Sequence, residues 1–381
     1  MIAQGTTRRG RRCSTAKAFL RPVRLRKNLH ISLFTFVHKV LIDRNDKAFA
    51  IKYEKHGRIG HAFAKKEIIL SAGTIGSPTI LMHSGIGPKE HLEEFGIPVI
   101  RDLPVGRNLQ DHIGVFGLNF LAKKGLAFKQ DRYEKLSSIL KYYLKGEGPL
   151  TSIGGVEALA FMHTKYSNDS NLPDVEFHFI PGSPAADGGR HLWRAQGLPF
   201  EVYEEFYEPL LDKDVWTCLP MLLRPKSVGV IKLRSSNVYE YPLIYPNYLT
   251  HPLDTATLVE ALKMMILMSE TKAFREVGTR VYARPFPGCE NHDLFSDKYF
   301  ECLVRHTTQT IYHPVGTAKM GPSWDPEAVV DPELRVYGIK SLRVADCSIM
   351  PTIVSGNTNA PTIMIGERAS DLIKAKWGYV A

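Results

Sequence analysis

The feature that most limits how this chain can fold is a change of texture along its length. Residues 28–73 alternate apolar and polar side chains with a period of two, cut by turn signals at Arg44-Asn45-Asp46 and Lys55-His56-Gly57. Such alternation marks half-buried strands. NLHISLFTFVHKVLID, AFAIKYEKH and HAFAKKEIILSAG therefore predict three strands. SPTILMHSGIG follows as a helix, with Ser77 as N-cap, Pro78 in the first helical position and Gly85 as the stop. Pro88 opens a second short helix closed by Gly96, and the Pro/Gly/Asn-rich loop LPVGRNLQDH ends at residue 112.

From 113 to 295 the regularity fails. Strand-like pieces such as DVEFHFIPG and SVGVIKLRS are separated by irregular polar stretches, and an amphipathic helix is expected over Asp254–Glu270. This mixture predicts a mostly antiparallel sheet with helices on one face. From about 303 short strands and loops return, and a last helix runs from Pro361 to about Lys376 with Ile365, Ala369, Leu372 and Ile373 on its core face. A chain of 381 residues is long enough for two domains.

Charge and cysteine content exclude some classes. The net charge is +10, much of it from Arg8, Arg9, Arg11, Arg12, Lys17, Arg21, Arg24, Arg26 and Lys27. This basic run has no interleaved aromatics, so a solvated or uncovered face is expected rather than a nucleic-acid site. No apolar run reaches the roughly 18 residues of a membrane span. The five cysteines form no C-x-x-C and no metal-ligand spacing, so no metal is expected. Cys289 and Cys302 flank a polar stretch and are candidates for a disulfide loop in an oxidising compartment.

The chemistry-bearing residues cluster near the C-terminus, in YHPVGTAKMG at 312–321, LRVADCSIMP at 342–351 and SGNTNAPTIMIGERASDLI at 355–373. His313 is a candidate general base, because an unperturbed imidazole titrates near neutrality. Asn357 adds a carboxamide that donates and accepts without titrating, or that simply caps the following helix. His306 is the rival base, with structural support its expected role.

These residues resemble the glucose–methanol–choline (GMC) family of flavin oxidoreductases, and most closely its insect glucose-dehydrogenase-type branch. GTIGSPTILMHSGIG (73–87) is similar to the family's second signature, HPVGTAKMG and SGNTNAPTIMIGE to its two active-site segments, and LPVGRNLQDH also matches. The resemblance runs from about residue 4 to the end. It implies α/β plus α+β architecture: an incomplete Rossmann-like FAD-binding domain with a substrate domain on a mostly antiparallel sheet. Residues 1–112 and 303–381 would belong to the FAD-binding domain and 113–302 to the substrate domain. It implies an FAD-dependent oxidoreductase acting on the CH–OH group of an alcohol or sugar, with hydride passing to flavin N5 and a quinone or oxygen as acceptor. His313 and Asn357 match the catalytic positions. Val37, Ala72, Gly73, Ala345, Asp346, Asn357 and Thr358 match positions beside the cofactor, and Asp346 would use its backbone N–H, since a carboxylate repels phosphate. Secretion is also implied. Ala318 and Cys347 depart from the branch's usual Cys and small residue, which touches packing rather than proton transfer.

The G-x-G-x-x-G turn that holds a dinucleotide pyrophosphate at a helix N-terminus does not occur in this sequence. The chain therefore reads as the C-terminal part of a GMC protein. The alternative function is a truncated, non-catalytic remnant or binding protein unable to hold FAD.

Overall fold

The computed structural model describes residues 1–152 and 155–379. The chain forms two compact units, each assembled from discontinuous segments. The first unit comprises Met1–Arg26, Ile113–Arg224 and His251–Ile311; the second comprises Lys27–His112, Pro225–Thr250 and Tyr312–Ala381.

The first unit is built on a seven-stranded sheet. Its main order is Ala158–Met162, Val175–Ile180, Val215–Leu222, Asn119–Leu121, Arg280–Val281, every pair antiparallel. Ile113–Val115 also pairs with Val215–Leu222 and carries Thr308–Thr310 on its other edge. Val215–Leu222 is buried along almost its whole length, as a strand with partners on both sides and packed faces should be. Helix Pro252–Ser269 packs on it through Leu258, Ala261, Leu262 and Met265, all fully buried. That helix starts at Pro252, whose missing N–H costs nothing in the first turn, and the His251 ring accepts from the Leu253 N–H at 3.2 Å. Helix Asp297–Thr307 packs beside it, capped by Ser296, whose hydroxyl accepts from the Tyr299 N–H.

The second unit opens with a three-stranded antiparallel meander, Thr35–Ile42, Ala48–Lys55 and Arg58–Phe63. The expected turns are present. At the first, Asp43 Oδ1 accepts from the N–H groups of Asn45 and Lys47 while Asp46 is left-handed. At the second, His56 and Gly57 both have positive φ, the two-residue turn whose twist suits adjacent strands. Two expectations need correction. Asn28–Leu33 is not a strand: Phe34 is left-handed at φ 53° and breaks the run before anything pairs with it. The third expected strand is two, because Lys65-Lys66 separates Arg58–Phe63 from Ile68–Leu70, which pairs in parallel with Leu342–Val344.

The first helix runs Gly73–His83, so Ser77 is inside it rather than its N-cap. Pro78 removes the N–H that would satisfy the Thr74 carbonyl. Thr317 Oγ1 donates to that carbonyl instead, at 2.6 Å. One apolar core joins this helix, through Leu81 and Met82, to Ile86, Leu92, Val315, Val330, Val344 and the last helix, Asn359–Lys376, through Ile365 and Ala369.

Candidate active site

The loop ending at residue 112 and the segment around His313 lie side by side in the second unit. Gln110 and Val315 exchange backbone hydrogen bonds of 3.1 and 2.8 Å, an antiparallel bridge across some two hundred residues of chain. The Gln110 carboxamide extends the staple: Nε2 donates to the Pro351 carbonyl at 3.1 Å, and Oε1 accepts from the Ile353 N–H at 3.2 Å. Gly316 is required here, because it has φ 96° and a Cβ would sit 2.3 Å from the Asn108 carbonyl oxygen.

This staple places His112 against His313. The rings meet edge to face, with their Nδ1 atoms 3.0 Å apart. One Nδ1 must carry a proton and the other accept it. His112 is fully buried and His313 half-buried. Asp111 fixes the backbone: its Oδ1 accepts from the His313 N–H at 3.0 Å, and its Oδ2 accepts from the Tyr248 hydroxyl at 2.5 Å. Tyr312, just before His313, holds a left-handed φ of 61° although it is 81% exposed. A non-glycine residue in that region stores backbone strain that its surroundings must hold.

A second cluster surrounds Asp346, which is 5% exposed. Its Oδ2 accepts from the Gly73 N–H at 3.0 Å and the Ser77 hydroxyl at 2.5 Å, and its Oδ1 from the Ser348 N–H at 2.8 Å. Ala345 donates its N–H to the Leu70 carbonyl. Thr74 Oγ1 donates to the Pro314 carbonyl at 2.6 Å and touches Cys347 Sγ, so this cluster adjoins the residue after His313. Ala318 is buried in the core, and Cys347 is half-buried against Thr74.

Asn357 is exposed, in the loop before the N-cap residue Thr358, and shows no hydrogen bond to either imidazole. Its loop is tethered to that of His313 through Gln110 at Ile353. Val37 is half-buried in Thr35–Ile42, at a register irregularity that leaves His38 unpaired. Ala72 is exposed and Gly73 open, with nothing within 4 Å of a notional Cβ. His306 lies on the surface of the first unit, its Nδ1 2.9 Å from the Cys302 carbonyl oxygen. Cys289 and Cys302 form a disulfide, beside which the His306 ring lies within 4.8 Å of both sulfurs. Sulfurs bonded to each other are not thiolate ligands, so the trio is not a metal site in this form.

Sequence reasoning missed His112, Asp111, Gln110 and Tyr248. The first three lie in LPVGRNLQDH, whose polar end QDH is unusual before a buried segment and was the available signal. Tyr248 carried none.

Two family models described as GMC oxidoreductase match the chain, one over residues 1–114 and the other over 225–366. The chain is 39% identical to the glucose dehydrogenase (FAD, quinone) of Drosophila melanogaster over 99% of its length and 58% of that protein. It is 38% identical to the mitochondrial choline dehydrogenase of Homo sapiens, over 97% of its length and 58% of the relative. Among solved structures, a formate oxidase superposes with a TM-score of 0.81 at 27% identity, covering 97% of this chain and 64% of that one. The chain thus spans less than two thirds of the length of the relatives it matches.

Proposed function

Because this chain belongs to the GMC oxidoreductase family, we propose that it carries the proton-transfer half of an FAD-dependent oxidation of a CH–OH group in an alcohol or sugar. The observation that carries this reading is the His112–His313 pair at 3.0 Å, braced by Asp111. The 1–112, 113–302, 303–381 division into FAD-binding and substrate domains is part of the same proposal.

The chain's own residues fit the cofactor. Gly73 and Gly356 have open space where side chains would otherwise project. The last helix begins without a side-chain hydrogen bond from its N-cap residue Thr358, and its dipole places about half a positive charge at that end. The Asp346 carboxylate is committed to three internal donors, so only backbone there is available to a phosphate. FAD, when bound, supplies the hydride acceptor.

The protein's part is proton handling. For His313 to take the hydroxyl proton at Nε2, its Nδ1 must keep a hydrogen and donate it to His112 Nδ1. His112 then holds its own proton at Nε2. The pair thus sets the tautomer and fixes the ring plane. Asn357, which does not titrate, orients the substrate oxygen. A quinone or oxygen reoxidises the system, and an extracellular setting fits the Cys289–Cys302 disulfide.

The test is the visible spectrum and the alcohol- or sugar-dependent dye reduction of the purified protein. His313→Ala should keep the flavin bands and lose about 10²- to 10⁴-fold in turnover. A folded, colourless protein, or near-normal turnover in the variant, overturns the assignment.

A further inference from the structure

The first unit contains a cavity of about 420 Å³ among Asn119–Leu121, the ends of Val175–Ile180 and Val215–Leu222, and the loops after them. That volume lies within the roughly 300–1,000 Å³ of small-molecule sites. Phe116, Phe128, Tyr133, Ile180, Leu192 and Pro149 supply much of the wall. Phe128 and Tyr133 stack on each other at 4.4 Å and 14°, which gives that wall a fixed shape. Among the described lining residues there is no Asp, Glu, Lys, Arg or His.

The polar side chains on the wall include Ser152, Ser183, Thr217, Gln196, Tyr207 and Asn119, and the three small hydroxyls are engaged. Thr217 Oγ1 donates to the Leu118 carbonyl at 2.9 Å, the Ser183 hydroxyl accepts from the Ala185 N–H, and the Ser152 hydroxyl bonds to Glu157. Burial raises the Tyr207 phenol above its usual range, so its hydroxyl stays protonated and uncharged. Asn119 differs. It is 1% exposed, its side chain reaches the Gly117 carbonyl through Nδ2 at 3.4 Å and also interacts with the Tyr207 hydroxyl, and its Oδ1 has no hydrogen-bond partner in the protein. A buried carbonyl oxygen without a donor carries an uncompensated desolvation cost, which a ligand donor removes.

We propose that this cavity binds an uncharged, mostly apolar, ring-bearing alcohol whose hydroxyl donates to Asn119 Oδ1. A hexose fits poorly, because several of its hydroxyls would lose water here without gaining a partner. A carboxylate meets no cation. A quaternary ammonium such as choline would find aromatic faces, but among the described lining residues no carboxylate balances its buried charge. Calling this ligand the substrate rests on the proposed oxidation; its binding does not.

The test titrates the full chain by calorimetry with benzyl alcohol, 2-naphthalenemethanol, benzyl methyl ether, glucose and choline chloride. The aryl alcohols should bind at least ten-fold more tightly than glucose or choline. Asn119→Leu should weaken the alcohols about ten-fold and leave the ether, which has no donor, unchanged. Ala186→Phe, at a half-buried loop position lining the cavity, should abolish binding of all aryl probes while circular dichroism and melting stay as in the wild type. Preferential binding of glucose or choline overturns the proposal. So does failure of a folded wild-type chain to bind any aryl alcohol, or binding that Ala186→Phe leaves intact. Aryl-alcohol binding without any turnover leaves this inference standing and removes the oxidation instead.

Discussion

At the scale of single residues, the proposed chemistry depends on which nitrogen of His313 carries a proton, and His112 decides it. If His112 is a positioning residue, a side chain that can accept at the same place should partly substitute. His112→Asn should keep turnover within about ten-fold of wild type, while His112→Phe, which fills the space without accepting, should lose about a hundred-fold and shift the acidic limb of the kcat–pH profile. Equal losses in both variants, with no change in that profile, would make His112 a packing residue only. His313 was visible in the sequence because HPVGT is a patterned segment. His112 was not, because its partner lies some two hundred residues away and no local periodicity encodes an antiparallel bridge between Gln110 and Val315. Asn357 shows the converse: the sequence singles it out, yet its side chain is exposed and its part in the site remains a proposal.

At the scale of elements, helix Gly73–His83 shows why Pro78 misleads. A proline after serine normally signals a helix start. Here the helix begins one turn earlier, and Thr317 supplies the hydrogen bond that Pro78 cannot. Thr317→Val should therefore cost about 1–3 kcal/mol by leaving the Thr74 carbonyl without a donor. Adding Pro78→Ala restores an N–H to that carbonyl, so chemical denaturation of the double variant should recover part of the loss. Strict additivity of the two changes would show that the carbonyl is satisfied in some other way. The meander and its two turns followed from sequence because turn chemistry is local: Asp43 and Gly57 act within a few residues. The division of 61–73 did not, because Ile68–Leu70 is a strand only by virtue of Leu342–Val344, far along the chain.

At the scale of the whole molecule, the change of texture in the sequence does correspond to two kinds of packing, but chain order hides their membership. Residues 225–250 read like the antiparallel region around them, yet they pack with the second unit, where Ile231 and Leu233 enter its core. Stability should also depend on pH in a stated way. In the first unit Asp214, 4% exposed, meets the Arg132 guanidinium and the N–H groups of Ala127 and Gly125. Chiefly through the Arg132 hydrogen bond, its pKa falls from 3.8 to about 2. A depressed carboxylate stabilises the folded form above its unfolded pKa, and that stability disappears as pH falls through the folded value. About 2 kcal/mol should thus be lost between roughly pH 4 and pH 2. Asp214→Asn should flatten denaturant midpoints over that window. An unchanged slope would mean that the ion pair does not govern acid unfolding.

The imidazole pair, its aspartate brace and its glutamine staple all come from one compact unit, and every cavity-lining side chain comes from the other. On the proposed reading, inheritance can therefore tinker with taste and leave the proton machinery alone. On that same reading, a library randomised at Phe116, Phe128 and Leu192 explores ligand preference and leaves the Asp111–His313 hydrogen bond in place, so one scaffold can diversify by walls.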